Sequence, residues 1–396
     1  MKGEKWADSW NAPVLGLAFL SWPFLGPAAM VAILNGHIAQ TIRVVAPLGT
    51  LNHINIASHK GILVKDGRAL EELSQIDTVL FDKTGTLTNE QPQVGRIIVE
   101  GEHYHEDEIL AYAAAAERKL AHPIAKGILQ KAKEANLTLP EVEDSKYQIG
   151  YGITVNLDNK IIRVGSARFM SMEGFTIPAK IDDAMSQAHN EGHSLIMVAI
   201  DSKISGALEM QASVRVEAKE VIRGLRQRGI KHIAIVSGDH QQPTKKLAES
   251  LGMDDYFYDI LPENKAQIVE RLQKEGQSVA FVGDGVNDTI AMKKANVSIS
   301  LSGATSIATD VAQVVFLESR LSHLCQLLDI SYKLDANLRN SLIINIVPGI
   351  ITISSVFLLH IGILTAILLG QSGLLIGVPY AMLPLRQLSD ETKGNG

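Results

Sequence analysis

The sequence predicts an α/β domain interrupted by an inserted α+β domain, with transmembrane helices at both ends of the chain. Three observations support this prediction. In the middle of the chain short β-rich runs alternate with helical patterns, which is typical of a parallel sheet flanked by helices. A long segment with its own helix and strand patterns separates the first of these runs from the second. Two stretches, from Ser9 to Ile42 and from Ser341 to Leu385, contain no charged side chain and therefore favour membrane helices.

Length, charge and cysteine content narrow the possible classes of protein. A chain of 396 residues is longer than one hydrophobic core usually organises, so about two or three domains are expected. The 37 basic and 43 acidic residues give a net charge of −6, which offers no general basic surface and argues against nucleic acid as a partner. The single cysteine, Cys325, excludes an internal disulfide framework and fits a reducing compartment.

The apolar ends predict one membrane hairpin at residues 12–48 and a second at residues 341–386. About 20 apolar residues cross a bilayer, so the second stretch is long enough for two passes and the first is barely so. The first stretch is too long for a secretory signal peptide and shows no small-residue cleavage site. Basic residues flank both stretches, which places all the flanks in the cytosol. We therefore expect a multi-pass membrane protein that contacts membrane lipid and keeps the middle of its chain in the cytosol.

Three strand-like runs end in glycine-containing acidic loops. They extend from Ile76 to Phe81, from Lys231 to Val236 and from Gln277 to Val282. Ligands of open α/β sheets bind at the carboxyl ends of the strands, so we expect the three loops to converge on one site. The main domain is predicted at residues 61–88 and 206–335, and the inserted domain at residues 89–205.

The loop after the first run carries a candidate nucleophile. It reads DKTGTLT from Asp82 to Thr88. A carboxylate at the end of a buried strand, followed by Lys83, hydroxyl groups and Gly85, can attack phosphorus where backbone N–H groups and a cation neutralise the phosphate charge. The heptapeptide resembles the phosphorylation motif of P-type ATPases, members of the haloacid dehalogenase superfamily. The resemblance implies a haloacid dehalogenase-like phosphorylation domain in which Asp82 accepts the γ-phosphate of ATP, with Lys83 and Thr84 beside it.

Two further segments follow in the order that this family requires. SGDH contains Ser237, Gly238 and Asp239 and resembles the family's Thr-Gly-Asp loop, whose hydroxyl and backbone N–H hold the transferring phosphoryl group. Serine retains that hydroxyl. LPENK resembles the segment whose lysine, here Lys265, neutralises the phosphate as a point charge. The resemblance therefore assigns catalytic roles to these four residues.

The segment GDGVND resembles the family's hinge loop, which provides a magnesium-binding aspartate. The resemblance implies Mg²⁺ as the cofactor and ATP as the substrate. The implied metal ligands are Asp82, the backbone carbonyl of Thr84, Asp284 and Asp288. Hard oxygen donors of this kind suit Mg²⁺, which also keeps water ligands and binds substrate phosphates.

The inserted segment contains a second group of family-like residues. A lone His-Pro pair is more often only the start of a helix. Here Glu117 precedes His122 and a Gly-x-Gly sequence follows, as in the nucleotide-binding domain of heavy-metal P-type ATPases. The resemblance implies that the Glu and the His meet the adenine end of ATP and that the glycines let the backbone approach the nucleotide. The candidate nucleotide-binding residues are Glu117, His122, Pro123, Gly150 and Gly152.

The resemblance to the heavy-metal branch, and within it to copper-type members, extends over almost the whole chain, with three departures. Ile38, Ala39 and Gln40 stand where that branch has Cys-Pro-Cys, so the thiolates that bind Cu(I) are missing. Ala212 stands where the family has an acidic residue. No Thr-Gly-Glu loop occurs, and we expect a second polypeptide to provide the actuator domain that carries it.

Three classes of function compete. The sequence favours the catalytic portion of a P-type ATPase, an activity that the family couples to heavy-metal cation transport. A soluble-type phosphatase of the same superfamily would have a second aspartate as general acid and base where this chain has Thr84. The third class is an inactive or regulatory pseudo-pump that binds nucleotide but does not transport. Ala212 and the missing cysteines favour that class, whereas the complete phosphorylation loop opposes it.

Overall fold

The computed structural model describes residues 2–36, 38–89, 91–142, 144–148, 152–157, 159–283, 288–301 and 310–394. The helices are α1 Lys2–Asn35, α2 Ile38–His59, α3 Gly67–Leu73, α4 Glu106–Glu117, α5 Pro123–Glu134, α6 Ala167–Met172, α7 Ala179–Asn190, α8 Ala218–Gln227, α9 Gln241–Leu251, α10 Pro262–Lys274, α11 Thr289–Lys294, α12 His323–Leu359 and α13 Ile363–Gly394. The strands are β1 Ile62–Val64, β2 Thr78–Asp82, β3 Gln93–Val99, β4 Asp144–Gln148, β5 Gly152–Leu157, β6 Lys160–Gly165, β7 Ser194–Ile200, β8 Lys203–Gln211, β9 His232–Val236, β10 Asp255–Phe257, β11 Val279–Gly283, β12 Val297–Ser300 and β13 Val314–Phe316.

The chain divides into two compact units. The first comprises Met1–Leu80, Arg223–His232 and Glu263–Gly396, and the second comprises Phe81–Ile222 and Ile233–Pro262. The alternation of strands and helices predicted for the middle of the chain is confirmed.

Within the described residues, 3 helices of the first unit are long and apolar enough to cross a membrane, and they span Gly3–Asn35, His323–Leu359 and Ile363–Leu385. Helix α1 is broken at Gly26, which has a φ of 82°. The next residue, Pro27, lacks an N–H group and therefore removes a helical hydrogen bond at this point. Helix α2 is the more polar second limb of the N-terminal hairpin. The two limbs begin before residue 12 and end after residue 48, so they extend beyond the predicted hairpin.

The first unit also contains most of a sheet whose strand order is β1-β13-β12-β11-β2. Strand β1 pairs antiparallel with β13, whereas β13 with β12 and β12 with β11 are parallel pairs. Every residue of β2 and β11 is buried, which explains their continuous apolar runs, since parallel strands are covered on both faces. Strand β2 continues from the first unit into the second and ends at Asp82.

Helix α12 is anchored to the segment that follows α8. The guanidinium group of Arg228 donates two hydrogen bonds to the carboxylate of Asp329, each 2.8 Å long. The hydroxyl group of Tyr332 donates to the backbone carbonyl of Arg228 over 2.7 Å. A bidentate pair of this kind fixes orientation as well as distance. The first turns of α12 are therefore held to the end of α8.

The second unit is built on a six-stranded antiparallel sheet with the order β3-β8-β7-β6-β5-β4. Helices α4 and α5 pack on one face, where Val198 and Leu208 are buried. Helices α6 and α7 pack on the other face, where Met197 and Ala207 are buried. The alternation of successive residues between the faces is that expected for strands. Strand β8 continues to Gln211, past the predicted boundary at residue 205, because it pairs with β3 along that length.

Candidate functional site

The predicted nucleophile, Asp82, is the last residue of β2 and is 6% exposed. The chain then makes a wide helical turn over Lys83–Leu87, closed by a hydrogen bond from the Thr88 N–H to the Lys83 carbonyl. Gly85 within this turn has a φ of 71°, a conformation that a residue with a Cβ rarely adopts. The turn therefore requires the glycine of the motif and leaves the carboxylate at the end of the strand.

Lys83 and Asp239 form an ion pair through the Lys83 ammonium group and the Asp239 carboxylate. The two residues follow β2 and β9, so the structure brings together two of the three loops that were predicted to converge. Burial lowers the pKa of Lys83, and the neighbouring Asp82 carboxylate opposes that shift. The Lys83 ammonium group therefore interacts with the Asp82 carboxylate and is paired with the Asp239 carboxylate.

Ser237, Gly238 and Asp239 form a tight turn after β9. The Asp239 N–H donates to the Ser237 hydroxyl oxygen over 3.0 Å, and the Ser237 carbonyl accepts from the Ile260 N–H over 3.0 Å. A Cβ on Gly238 would lie 3.5 Å from the Ile260 carbonyl, which is an ordinary contact distance. The turn fixes the hydroxyl that the family resemblance assigns to the phosphoryl group.

A cavity of about 460 Å³ opens at this turn and the phosphorylation loop. Its wall includes Lys83, Thr84, Gly238 and Asp239, which are predicted catalytic residues. Ala212 lies in the same wall, so the carboxylate that the family has at this position would face the same space. The cavity is large enough for the phosphate end of a nucleotide.

Arg215 holds the phosphorylation loop and was not predicted as a site residue. Its guanidinium group donates to the Gly85 carbonyl over 2.8 Å, and its backbone N–H donates to the Leu87 carbonyl over 2.9 Å. Just before it, Val214 forms a β-bridge with Thr88. The segment after β8 therefore runs along the loop that carries Asp82, a contact that only the folded chain reveals.

Lys265 and Asp288 form a second ion pair, with 2.7 Å between the Lys265 ammonium nitrogen and Asp288 Oδ1. Both side chains are buried. The other carboxylate oxygen of Asp288 is buried and has no hydrogen-bond partner among the described residues. The proposed ligand Asp284 lies outside the described residues. The role of Asp288 as a magnesium ligand stays a prediction, since one of its oxygens already binds the lysine.

The described donors fit Mg²⁺ by their chemistry. Asp82 contributes a carboxylate at the strand end and Thr84 a backbone carbonyl within the turn that follows. Both are hard oxygen donors, which Mg²⁺ prefers. The unpartnered oxygen of Asp288 is of the same type. The chain's one cysteine, Cys325, is not among the residues that line the cavity, so its described wall offers no thiolate for a softer ion.

In the inserted domain, Glu117 and His122 lie together. His122 caps the start of α5, its Nδ1 accepting from the Ala125 N–H over 3.2 Å, with Pro123 as the first helical residue. His122 Nε2 lies 3.0 Å from Glu117 Oε2, but the two are poorly aligned, and that buried oxygen has no hydrogen-bond partner among the described residues. Burial raises the pKa of Glu117 to about 7 and lowers the pKa of His122.

Gly152 begins β5, and Gly150 lies outside the described residues. A Cβ on Gly152 would lie 2.4 Å from the ring of Phe169, which is fully buried. Packing against that ring therefore excludes a side chain at Gly152. The structure gives this glycine a packing role, whereas its approach to a nucleotide stays a prediction.

A polar network beside the cavity surrounds the buried carboxylate of Glu209 on β8. Arg96 donates to one carboxylate oxygen over 2.6 Å, while His193 Nδ1 lies 2.6 Å from the other and Gln211 donates to it over 2.9 Å. Burial would raise the pKa of Glu209, but these hydrogen bonds hold it below its ordinary value. Glu191 completes a possible ligand set with His193 and Glu209. Because Arg96 and Gln211 already satisfy Glu209, we interpret this cluster as a charge network that stabilises the domain.

The predicted transport segment is only partly described. The side chains at residues 37–40, where the family has its metal-binding triplet, lie outside the described side chains. The amide of Asn35 donates to the Val31 carbonyl over 2.9 Å, and that of Asn345 to the Ser341 carbonyl over 2.7 Å. These two side chains therefore bind the backbone of their own helices.

Known proteins are similar to this chain in sequence. Residues 76–296 match the family model of haloacid dehalogenase-like hydrolases. A zinc-exporting P-type ATPase of Mycobacterium marinum is 32% identical over 278 residues, which are 70% of this chain and 38% of that protein. A copper-exporting P-type ATPase of Staphylococcus aureus is 35% identical over 261 residues, which are 66% of this chain and 32% of that protein. The chain thus spans about a third of the length of these curated relatives.

Solved structures are similar in fold. A zinc-transporting PIB-type ATPase in the E2.Pi state gives a TM-score of 0.80 at 25% identity, covering 95% of this chain and 62% of that one. A catalytic CPx-ATPase domain, CopB-B, gives a TM-score of 0.50 at 30% identity, covering 70% of this chain and 98% of that one. With the three apolar helices, these similarities identify a multi-pass membrane protein whose catalytic domains are cytosolic.

Proposed function

The chain belongs to the haloacid dehalogenase-like hydrolases and its relatives are heavy-metal P-type ATPases, and from this premise we propose that it transfers the γ-phosphate of ATP to Asp82 in a Mg²⁺-dependent reaction. The observation that carries the proposal is the position of Asp82. Its carboxylate ends a buried strand immediately before Lys83, and Lys83 and its ion-pair partner Asp239 lie with Thr84 and Gly238 in the wall of the cavity.

In this reaction a carboxylate oxygen of Asp82 attacks the γ-phosphorus, and the bond between the γ-phosphorus and the bridging oxygen of ADP breaks. Lys83 neutralises charge on the transferring group. The Ser237 hydroxyl and the Gly238 N–H donate hydrogen bonds to its oxygens. Mg²⁺, when bound by Asp82 and the Thr84 carbonyl, neutralises phosphate charge and aligns the nucleotide. Catalysis of this kind depends mainly on positioning and on electrostatic stabilisation.

ATP binding in the inserted domain is the second part of the proposal. The buried Glu117 Oε2 lacks a hydrogen-bond donor among the described residues, and the exocyclic amine of adenine would provide one. A buried polar atom without a partner is costly, so a ligand that satisfies it gains affinity. His122 lies beside that oxygen and belongs to the same site.

Hydrolysis of the phosphorylated aspartate requires a positioned water and a general base. Thr84 occupies the position of the second aspartate of related phosphatases, and its hydroxyl is not a base near neutral pH. We therefore propose that the acyl phosphate formed on Asp82 accumulates when this chain acts alone, and that a second polypeptide carrying an actuator domain completes the cycle. Such a complex would transport a heavy-metal cation, as the relatives do.

Incubation of the purified chain with radiolabelled ATP and Mg²⁺ tests the proposal. We expect an acid-stable, hydroxylamine-labile label that is lost in Asp82→Asn and retained in Asp183→Asn, which alters an exposed aspartate of α7. The label should decay slowly after a chase with unlabelled ATP. Absence of label at long times would support the pseudo-pump alternative, and rapid turnover without a partner would require a hydrolytic base within this chain.

A further inference from the structure

A glycine of the inserted domain packs against the first turn of α9. Gly192 lies between α7 and β7, and a Cβ built on it would lie 2.5 Å from Pro243 Cβ and 2.8 Å from Pro243 Cγ. Pro243 is the third residue of α9, the helix that follows the turn containing Asp239. Both residues belong to the second unit and line the cavity that Lys83 also lines. The missing side chain of Gly192 therefore allows a close approach of two segments in the wall of the phosphoryl-transfer cavity.

The end of α7 explains the φ of Gly192 but not this close approach. Its φ is 75°, its N–H donates to the His189 carbonyl over 3.0 Å, and the His193 N–H donates to the Ala188 carbonyl over 2.8 Å. These two hydrogen bonds form a Schellman motif, in which a residue with positive φ terminates a helix. Asparagine also adopts that conformation, so the motif does not require the absence of a side chain.

Gly174 ends α6 with the same motif and shows what the motif alone requires. Its N–H donates to the Ser171 carbonyl over 3.2 Å, and the Phe175 N–H donates to the Met170 carbonyl over 2.9 Å. Its φ is 83°, yet a Cβ on it would meet no atom of the described residues within 4 Å. The two glycines have the same helix-ending hydrogen bonds, and they differ in the contact that Gly192 makes.

Pro243 is held firmly on its side of the contact. Its side chain is a ring, which cannot rotate away from an added atom. The next residue, Thr244, is fully buried, and its hydroxyl group donates to the His240 carbonyl over 2.9 Å. His240 follows Asp239, the ion-pair partner of Lys83. A displacement of Pro243 would therefore also shift the turn that is proposed to hold the transferring phosphoryl group.

Two strand segments connect the inserted domain to the loop that carries Asp82. Thr88 forms a β-bridge with Val214, and the Asn89 N–H donates to the Ser213 carbonyl over 2.8 Å. Thr88 and Asn89 line the same cavity as the glycine contact. A pair of strand segments can bend and twist, whereas a further contact elsewhere in the cavity wall fixes the orientation of the domain.

We propose that Gly192 is a positioning residue for phosphoryl transfer, because its packing against Pro243 sets the distance between ATP bound in the inserted domain and the carboxylate of Asp82. This proposal rests on the proposed transfer to Asp82. Ordinary carbon–carbon contacts are about 3.5 Å or longer, so a Cβ at residue 192 would push the two segments apart by about 1 Å. A misplacement of about 1 Å can slow a reaction about 100-fold.

The rate of label incorporation from radiolabelled ATP and Mg²⁺ tests the proposal, together with calorimetry of a non-hydrolysable ATP analogue on the same variants. We expect Gly192→Asn to slow incorporation about tenfold or more at saturating ATP, while the Kd of the analogue changes less than about twofold. Gly174→Asn is the matched control and should leave both quantities unchanged. Gly192→Asn/Pro243→Gly lacks the opposing ring and should recover the rate of Pro243→Gly alone.

A disulfide cross-link tests the contact without relying on phosphorylation. The Cβ atoms of a disulfide lie about 3.8 Å apart, so Gly192→Cys/Pro243→Cys in a Cys325→Ser background should cross-link on oxidation, and Gly174→Cys/Pro243→Cys should not. If the cross-link forms but the unmodified chain takes up no label, transfer to Asp82 is refuted and the positioning role with it.

Five other outcomes would overturn the proposal. They are absence of the cross-link, an unchanged rate in Gly192→Asn, an equal loss of rate in Gly174→Asn, a loss of affinity for the analogue as large as the loss of rate, and no recovery in the double variant. Circular dichroism and thermal unfolding of each variant establish that a slower rate comes from the displaced contact and not from unfolding.

Discussion

The guanidinium group of Arg215 donates a hydrogen bond of 2.8 Å to the backbone carbonyl of Gly85, at the centre of the phosphorylation loop. Gly85 is the residue whose φ of 71° allows the loop to turn after Asp82. The arginine thus acts on the nucleophile through the backbone, and we interpret it as a positioning residue. A small displacement of a nucleophile has a large effect on rate, because the reacting atoms must be aligned.

We expect Arg215→Ala to slow phosphorylation of Asp82 about tenfold, since a hydrogen bond to a charged donor contributes about 1.5 kcal/mol or more. The rate of label incorporation from radiolabelled ATP measures this effect. Arg215→Lys should recover part of the rate. Arg223→Ala removes an exposed arginine of α8 and is the matched control, with an unchanged rate. A normal rate in Arg215→Ala would show that the loop holds its conformation without this bond.

The stability of the second unit should depend on pH because the Glu117 carboxyl group has a raised pKa. Burial raises the pKa of its carboxyl group to about 7 from an ordinary value of 4.5. Between these two values the folded state keeps a proton that the unfolded state loses, so the free energy of unfolding falls as pH rises from 4.5 to 7. The loss amounts to about 3 kcal/mol and is complete above pH 7. Below pH 4.5 the carboxyl group is protonated in both states and contributes nothing.

Glu117→Gln removes this titration and keeps an oxygen acceptor. We expect the variant to become progressively more stable than the unmodified chain as the pH rises from 4.5 to 7. The free energy of unfolding of the second unit, measured with denaturant at several pH values, tests this. ATP affinity should survive better in Glu117→Gln than in Glu117→Ala, because only the former can accept from the adenine amine. A stability difference that is constant with pH would contradict the raised pKa.

Gly152→Ala should destabilise the inserted domain by about 1 to 3 kcal/mol, because its Cβ would lie 2.4 Å from the ring of Phe169. Thermal unfolding measures the loss. In the double variant Gly152→Ala/Phe169→Leu the smaller side chain removes the clash, so the two effects should be less than additive. If that double variant regains stability but does not bind ATP, the glycine also serves the nucleotide; if it binds ATP normally, packing alone explains the glycine.

Ala212 is the departure from the family that lies in the wall of the phosphoryl-transfer cavity. We expect Ala212→Asp to speed phosphoenzyme formation about tenfold, since Lys83 lines the same cavity and a carboxylate at this position could orient its ammonium group for the transferring phosphoryl group. Ala212→Asn has nearly the same shape without the charge and should have a much smaller effect. A slower rate in Ala212→Asp would mean that the alanine matches this chain's own arrangement of charges.

The membrane helices should not form a Cu(I) site of high affinity. The family's site uses thiolates, and the chain's single cysteine is Cys325, in the first turn of α12. Competition with a chromophoric Cu(I) chelator should therefore give no site of high affinity in the unmodified chain, and no change in Cys325→Ser. Tight Cu(I) binding that persists in Cys325→Ser would reveal a site built without thiolates.

The order of elements and the phosphorylation loop could be predicted from the sequence because both depend on contiguous residues. The run DKTGTLT predicts that a turn containing Lys83 and Gly85 follows Asp82 directly. The contact between Lys83 and Asp239 follows from the rule that strand ends of a parallel sheet share one edge. Such inferences need only local pattern and topology.

Other features depend on distances that no local pattern specifies. Arg215 reaches Gly85 across 130 positions of sequence, and nothing in its neighbourhood marks it as a loop contact. Glu209 is a buried acidic residue in a strand that is mostly buried. Its partner Arg96 lies 113 positions earlier in the sequence, so no local pattern predicts the pair. The bounds of the inserted domain depend on such contacts as well, since β8 pairs with β3 as far as Gln211.

The bidentate bond between Arg228 and Asp329 has a mechanical consequence. From Asp329 to Pro348 the helix α12 runs for about 29 Å before the first proline weakens it. A rigid rod of that length, tilted by about 10° at its anchored end, moves its far end by about 5 Å, close to one helical turn. A small tilt of α12 at its contact with Arg228 therefore becomes a displacement of several ångströms in the membrane part of the helix. The Arg228–Asp329 ion pair is the point about which such a tilt would occur.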